Sequence, residues 1–463
     1  MAKRTKSALP EAREVPEKVV SIIKPIKKTG SDNISAEQRV KAVKPYCPED
    51  LVNVQTQLGA LSRSFHIGEH NSPHRTHLQI RGYVDFYGGY AEHTRQVIFG
   101  LESTGQFCMK LNPIRSPRDI DPILGQKMDW YVSNPAFQGK DSTFIAIAGP
   151  GHLRHDKIPE DSRYKIGWTM IETLGVQPQV IKWLKNADEI YAPTWVDYNK
   201  FTEAGITNVT YMPLGYDPTV WNAKVKPMDI STVRNRYVFG VLGSWNTRKS
   251  VKEIVQAFVK EFKSTEPVSL MLCCKYGTRK WGSKENMKND KRWCIKYELN
   301  KIINELNIPH DRVPHITILD IPLHPTVIPT VAARFDTLVG FSKGESTWLP
   351  GIEIGAMGKP IIQLASQCSG FMDYLGTNRY MCRQVEYIEA DQELYEGTSE
   401  YYKGEKLAHG DVEELSFMMR KVYNEKGTPD QNNTVQNNYG KIKPYTWSRT
   451  INMLLDRLHS VQQ

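Results

Sequence analysis

Residues 335–365, FDTLVGFSKGESTWLPGIEIGAMGKPIIQLA, hold two apolar runs separated by a polar stretch and a segment with helix signals. The runs FDTLVGFS and KPIIQLA are each typical of a buried strand. Pro350 suits the first turn of a helix, where its missing N–H costs nothing. Gly358, followed closely by Pro360, is a helix stop signal. The stretch therefore predicts a strand, a helix over about Pro350–Met357, and a second strand.

The same alternation of strands and helices extends outward from this unit in two successive blocks, the second of which begins near residue 230. The other strand-like segments are LQIRGYVDF, DSTFIAIAGP, ADEIYAPT, NVTYMPLGYDPTVW, RYVFGVLG, VSLMLCC and HITILD. Two such blocks predict an α/β protein with two doubly wound, Rossmann-like domains of parallel strands. Ligands of these sheets bind beyond the carboxyl ends of the strands, so we expect the site in a cleft between the domains.

Four segments are expected along the chain. Residues 1–78 form a basic N-terminal arm, residues 79–225 the first Rossmann-like domain, and residues 226–400 the second. Residues 401–463 are expected to be helical and to pack back across the domains. After RYVFGVLG, apolar residues at helical spacing predict a helix, and Ser250 and Glu253 have the spacing of a capping box at its start.

The composition is that of a globular protein and excludes several classes. The chain has 463 residues, of which 40% are hydrophobic and 24% charged. It contains no apolar run long enough to span a membrane, and its N terminus lacks the apolar core of a secretory signal. The seven cysteines have no CxxC or framework spacing, which indicates free thiols in a reducing compartment. We therefore expect a cytoplasmic protein without a transmembrane segment; the oligomeric state is left open.

The formal charge of +9 is unevenly distributed. Residues 1–45 hold eleven Lys/Arg against five Asp/Glu, and residues 275–301 hold nine against three, interleaved with tyrosine and tryptophan. Such segments are either solvated surface or contacts for a polyanion that offers rings for stacking. The composition leaves both interpretations open.

Two glutamates of the opening stretch are candidate site residues. The free N–H groups at the start of the predicted helix point toward the end of the preceding strand and suit a phosphate. Glu345 lies on the loop before this helix and Glu353 one turn inside it, where carboxylates suit hydroxyl groups rather than phosphate. The alternative is that Glu345 is only a loop acid and Glu353 only a favourable charge near a helix N terminus. The spacing alone does not choose between them.

The stretch KGESTWLPGIEIGAMGKPII resembles the E-x7-E signature of retaining glycosyltransferases with the GT-B fold, glycosyltransferase family four. The matching residues are Glu345, Leu349, Pro350, Glu353, Ala356, Met357, Gly358, Lys359 and Pro360. Further segments resemble the family in the same order: YGGYAEHTRQVIFGL, ADEIYAPTWVDYNKFTEAGITNVTYMPLGYDPTVW, VLGSWNTRKSVKEIVQAF and YTWSRTINMLLDRL. The resemblance runs from about residue 80 to the end of the chain. It implies an acceptor domain at 79–225, a nucleotide-sugar domain at 226–400, and a UDP- or GDP-sugar as donor with no further cofactor.

The resemblance also implies a role for each matching position. Glu353 is expected to bind the ribose of the donor and Glu345 the hydroxyls of the transferred sugar. Lys249 is expected to neutralise the diphosphate together with Arg248, without a metal. The remaining implied donor-binding residues are Gly88, Gly89, Gly243 and the backbone of Ser346, Thr347, Trp348 and Leu349. Glu172 falls near the cleft, where it either orients donor or acceptor or is a structural acid.

The chain departs from the family pattern at two places. Ser244 stands where the family usually has arginine, which removes one phosphate contact. Ser346-Thr347-Trp348 replaces Gly-Phe-Gly, and we expect the bulky Trp348 to shape the sugar pocket. No covalent nucleophile is nominated, because retaining enzymes of this fold usually lack an obvious one; transfer on the front face, assisted by the leaving phosphate, is the expectation.

The acceptor is not encoded in these motifs. The two basic segments make a hydroxylated base in DNA a candidate, flipped into the cleft. The alternatives are a glycan, a lipid or a protein side chain, or, in a different class, an inactive GT-B scaffold that binds nucleic acid or a partner. His66, His70, His74 and His77 lie close together, but we expect a loop there rather than a metal site.

Overall fold

The computed structural model describes residues 76–462, except 85–87, 115–121, 277–291, 320–322, 324 and 391–401. The predicted basic arm lies outside the described residues apart from its last three, which belong to the first strand. The boundaries proposed at residues 78, 225 and 400 stay predictions. We call the first sheet with its helices the N-terminal domain, and the second sheet with its helices the C-terminal domain.

Six parallel strands form the first sheet. They are β1 (Thr76–Gly82), β2 (Phe107–Pro113), β3 (Thr143–Ile147), β4 (Tyr164–Trp168), β5 (Glu189–Ala192) and β6 (Val209–Tyr211). Their order across the sheet is β2-β1-β3-β4-β5-β6. All five residues of β3 are buried, as expected for a parallel strand that is covered on both faces.

Seven strands form the second sheet. They are β7 (Tyr237–Trp245), β8 (Val268–Tyr276), β9 (His315–Ile318), β10 (Thr337–Gly340), β11 (Ile361–Ala365), β12 (Met381–Glu389) and β13 (Lys406–Gly410). Their order is β13-β12-β11-β10-β7-β8-β9, and the pairs are parallel except that β13 runs antiparallel to β12. The predicted α/β class with two doubly wound sheets is confirmed.

The helices alternate with these strands. In the described part of the chain they are α1 (Gly89–Ser103), α2 (Pro122–Val132), α3 (Pro178–Leu184), α4 (Trp195–Glu203), α5 (Val251–Glu261), α6 (Arg292–Glu305), α7 (Ile328–Ala332), α8 (Leu349–Ala356), α9 (Met372–Leu375), α10 (Val412–Asn424), α11 (Pro429–Ile442) and α12 (Trp447–Gln462). Short 3-10 turns occur at Pro150–Leu153, His155–Lys157, Ser231–Val233 and His310–Arg312. None of the described helices is long and apolar enough to cross a membrane.

The opening unit is observed as β10, α8 and β11. α8 begins one residue before the predicted start and ends one residue before the predicted end. Gly358 has a φ of 75°, the left-handed conformation that glycine adopts more easily than other residues at a helix end. The helix signals of the sequence therefore placed this element correctly.

The capping box predicted at the start of α5 is wrong. Ser250 precedes α5 with a φ of 55° and makes no side-chain cap hydrogen bond. Its hydroxyl accepts instead from the Lys343 ammonium at 2.8 Å, and Lys343 also pairs with Glu253. Both partners of the expected box are thus engaged by a buried lysine from a neighbouring loop.

The connections place one switch point in each sheet. β7 lies beside β10, but the chain leaves β7 toward β8 and leaves β10 toward β11, on the opposite side. The loops after β7 and β10 therefore diverge and open a crevice between them. In the first sheet, β1 and β3 are related in the same way. Ligand sites are expected at these two points.

The C-terminal helix returns to the first sheet. Its apolar residues Trp447, Ile451, Leu454 and Leu458 are buried in the same hydrophobic cluster as Leu78 of β1 and Ile98 of α1. The Thr450 hydroxyl also donates to the carbonyl oxygen of Pro213 at 2.8 Å. α12 is thus part of the core of the N-terminal domain, although it follows the C-terminal domain in sequence.

Candidate active site

Two loops of the C-terminal domain meet at its switch point: the β7–α5 loop (residues 246–250) and the β10–α8 loop (residues 341–348). The carbonyl oxygen of Arg248 accepts from the N–H of Lys343 at 2.8 Å and from the hydroxyl of Ser342 at 3.1 Å. The N–H of Lys249 donates to Asn246 Oδ1 at 2.8 Å. These bonds bring Arg248 and Lys249 next to the end of β10.

Four of the predicted site residues form one cluster of charges, in which Glu345 is buried and the other three are partly buried. Lys249 donates to Glu345, and Arg248 Nη1 lies 3.3 Å from Glu345 Oε2. Arg248 Nη2 lies 3.0 Å from Glu172 Oε1. Glu172 follows β4 of the N-terminal domain, so the cluster bridges the cleft. Its two cations balance its two carboxylates, which reduces the cost of burying them.

The cluster also sets the protonation of its members. Burial favours the neutral form of Glu345, but Lys249 and Arg248 outweigh this and lower the pKa of its carboxyl below the ordinary value. Burial raises the pKa of Glu172, although Arg248 opposes the shift. Burial lowers the pKa of Lys249, and Glu345 opposes that shift. Glu345 is therefore held as an anion between two cations.

Glu353 stands apart from this cluster. Its neighbours Ile352 and Ile354 are in the core, and the charge that acts on its carboxyl is that of Glu92, on α1 of the N-terminal domain. Burial, with a smaller contribution from the Glu92 carboxylate, raises the pKa of Glu353 to about 8. The two glutamates of the opening stretch therefore have opposite electrostatic environments.

The backbone between the two glutamates is available for a ligand. Within the described part of the chain, the N–H groups of Thr347, Trp348 and Leu349 make no hydrogen bond, and the hydroxyl of Thr347 is buried without a partner. These groups lie at the N terminus of α8, where the helix dipole is positive.

The expectation that Trp348 shapes the sugar pocket is wrong. Its side chain is only 6% exposed and belongs to the core cluster that contains Phe371. A Cβ at Gly340 or Gly351 would overlap the indole, so these two glycines make the space that it fills. Its carbonyl oxygen accepts from the Tyr374 hydroxyl at 2.8 Å. Only the backbone of Trp348 is left to contact a ligand.

Of the predicted glycines, Gly89 and Gly243 are exposed and Gly88 is partly exposed. Gly88 precedes α1 and Gly89 is its first residue, next to residues 85–87, which lie outside the described part. Gly243 is near the end of β7, and a Cβ at Gly89 or Gly243 would meet nothing within 4 Å. Ser244, the position of the missing arginine, is exposed beside Gly243.

Two residues at the cleft were missed in the sequence. Asp197, in the first turn of α4, is fully buried and accepts from the Ser346 hydroxyl of the other domain. In the sequence, Asp197 could have been noticed because it follows Thr194 by three residues, the spacing of a capping box. His152 lies after β3, at the switch point of the first sheet, 3.4 Å from both Arg81 Nε and Tyr83 Oη. Burial, together with Lys157, Arg81 and Arg154, lowers the pKa of His152 to about 4.

The other candidate features lie largely outside the described residues. This holds for His66, His70 and His74, and for residues 277–291 of the basic segment 275–301. His77 is on β1, where its Nδ1 accepts from the N–H of Gln138 at 2.9 Å. Five of the cysteines in the described ranges are buried free thiols: Cys108, Cys273, Cys274, Cys368 and Cys382.

No model of a known protein family matches the chain, and no curated protein sequence matches it. Several solved structures do. HepE from Anabaena, in complex with UDP and glucose, has a TM-score of 0.58 at 13% identity, over 83% of this chain and 100% of that one. An α,α-trehalose-phosphate synthase (UDP-forming) from Burkholderia xenovorans gives 0.57 at 11% identity, over 83% and 100%. Sucrose-phosphate synthase from Thermosynechococcus elongatus gives 0.55 at 12% identity, over 84% and 99%.

These matches concern the fold. All three proteins are GT-B glycosyltransferases. This chain covers them almost completely, so it has the GT-B fold that the E-x7-E resemblance implied.

Proposed function

We propose that the protein is a glycosyltransferase that moves a sugar from a UDP-sugar to an acceptor hydroxyl with retention of configuration. The observation that carries the proposal is the cluster at the switch point of the second sheet, where Lys249 and Arg248 flank Glu345 next to the N terminus of α8. We propose UDP rather than GDP as the nucleotide of the donor because solved structures of the same fold are complexes with UDP.

In this proposal Arg248 and Lys249 bind the diphosphate of the donor. Their charge is already balanced by Glu345 and Glu172, so an incoming diphosphate replaces one anionic partner by another. The free N–H groups of Thr347, Trp348 and Leu349 add donors on the same side. As the bond to the sugar breaks, negative charge builds on the leaving phosphate, and these fixed cations and donors stabilise it.

The two glutamates take separate parts of the donor. When the diphosphate binds Lys249, the Glu345 carboxylate is released to accept from sugar hydroxyls. Glu353 accepts from the ribose, and Glu172 orients donor or acceptor from the opposite domain. Retention rests on the resemblance to the family: the leaving phosphate takes the acceptor proton on the face from which it departs, and no covalent residue is required.

For the acceptor, we propose a hydroxylated base in DNA. The support is the positive charge of residues 1–45 and 275–301, with aromatic side chains in the second segment. A glycan, lipid or protein acceptor and an inactive scaffold are the alternatives, and assays of donor hydrolysis and of acceptor modification distinguish them.

Donor chemistry is tested by slow hydrolysis of a panel of UDP- and GDP-sugars. We expect release of UDP from at least one UDP-sugar. Lys249→Ala should lower that rate by about 100-fold or more, because it removes a cation from the leaving group. Lys252→Ala is the matched control: Lys252 is on the surface and pairs with Glu305 at 2.9 Å. No turnover of any donor, or wild-type turnover by Lys249→Ala, would contradict the proposal.

The acceptor is tested by mass spectrometry after incubation with donor and either hydroxymethylated DNA, unmodified DNA or a glycan panel. We expect a hexose or pentose mass only on the hydroxymethylated DNA, and a gel shift of duplex DNA that weakens steeply with salt. Glu345→Gln is the inactive control. A product on the glycans alone would support the proposed glycosyltransferase activity but contradict the proposal that DNA is the acceptor.

A further inference from the structure

The first turn of α4 is a contact between the two domains. Thr194 precedes the helix, and its hydroxyl accepts from the N–H of Asp197 at 2.9 Å. The N–H of Trp195, the first residue of the helix, donates to the carboxylate of Asp373, which lies on α9 of the C-terminal domain. A carboxylate is favourable at this end because the helix dipole is positive there. The C-terminal domain thus caps one of the free N–H groups at the start of α4, a helix of the N-terminal domain.

A second bond crosses the domains two residues further along, in the same turn of the helix. Asp197 Oδ2 accepts from the Ser346 hydroxyl of the β10–α8 loop and from the Thr194 hydroxyl, the latter at 2.8 Å. Its Oδ1 accepts from the N–H of Ile171 at 3.2 Å. Asp197 is 0% and Ser346 2% exposed. A carboxylate buried to this degree needs such donors, so losing Ser346 Oγ leaves it underbonded.

The backbones on both sides approach each other closely. A Cβ at Gly344, the residue before Glu345, would overlap the carbonyl oxygen of Glu172. A Cβ at Gly370 would overlap the side chain of Thr194. These two glycines let the β10–α8 loop and α9 come within hydrogen-bonding distance of the N-terminal domain on both sides of Ser346.

We propose that Asp197, Ser346 and Asp373 form an interdomain clasp that holds Glu345 in position against the N-terminal domain. Ser346 follows Glu345 directly, so its bond to Asp197 restrains the carboxylate relative to Glu172. The family signature that this stretch resembles has glycine at the position of Ser346. Glycine has no hydroxyl, so a chain with the usual signature could not form this side-chain bond. The clasp makes Ser346 a positioning residue for sugar transfer, and that part of the inference rests on the proposed function.

The test is Ser346→Ala in the full chain, measured by small-angle X-ray scattering without ligand and by titration with UDP. We expect a larger radius of gyration than wild type, because one of the two bonds of the clasp is lost and the domains are held together less tightly. We expect the Kd for UDP to change less than twofold, since Arg248 and Lys249 stay in place. The kcat for the UDP-sugar should fall about tenfold, the effect of losing one hydrogen bond to a charged group.

Ser416→Ala is the matched control, because Ser416 is also buried and its hydroxyl donates to the carbonyl oxygens of Ala257 and Val412, both in the C-terminal domain. It should leave both the scattering and kcat unchanged. Asp373→Asn, which weakens the other half of the clasp, should act in the same direction and replaces Ser346→Ala if that variant does not fold. A radius of gyration equal to wild type overturns the clasp, whatever the activity. Open domains with an unchanged kcat overturn the positioning role.

Discussion

The carboxyl group of Glu353 is buried, and the charge that acts on it is the carboxylate of Glu92, so both effects oppose ionisation. Its pKa rises from 4.5 to about 8. When folding raises the pKa of a carboxyl group, the protein is most stable at a pH below the pKa of that group in the unfolded chain. The free energy of unfolding then falls as the pH rises from the unfolded-state pKa to the folded-state pKa. The destabilisation by Glu353 therefore grows between about pH 4.5 and pH 8.

Glu353→Gln should consequently stabilise the protein while weakening donor binding. We expect the free energy of unfolding to rise by roughly 1–3 kcal/mol at pH 8, and the gain to vanish near pH 4.5. Urea unfolding at a series of pH values measures this difference. Glu203→Gln, on the exposed end of α4, should give no such gain. If Glu353→Gln were no more stable than wild type at pH 8, the carboxyl would not be buried as described.

Among the elements, α8 could be predicted almost to the residue because its signals are local. Pro350 and Gly358 act through their own backbone conformations, which the rest of the fold does not alter. The side chains on either side of it could not be placed in the same way. Trp348 is buried because Gly340, on the preceding strand, leaves room for its indole, and nothing within the signature itself specifies that contact.

The start of α5 illustrates the same limit. Ser250 and Glu253 have the spacing of a capping box, yet Lys343 from the β10–α8 loop binds both of them. A buried ammonium needs anionic and hydroxyl partners more than the helix needs its cap. Local spacing predicted the helix and its apolar face correctly, while the competing partner, more than ninety residues away, could only be found in the folded chain.

At the scale of the whole molecule, alternating strands and helices were sufficient to predict two doubly wound domains and a cleft between them. Contacts across the cleft were only partly predictable. The resemblance placed Glu345, Lys249 and Glu172 near one another, but Asp197 and Asp373 belong to no signature and meet their partners only because both domains are folded. Residues that join the domains therefore need the tertiary structure before they can be identified.

The return of α12 to the first sheet makes the N-terminal domain dependent on the last residues of the chain. Leu454 is fully buried there, so Leu454→Ala should cost about 2–5 kcal/mol. We expect hydrogen exchange with mass spectrometry to show lost protection in β1 and α1, which share its cluster, while β7 and β8 keep theirs. Asn452→Ala, on the exposed side of the same helix, should change neither. Loss of protection confined to β7 and β8 would instead mean that α12 stabilises the C-terminal domain.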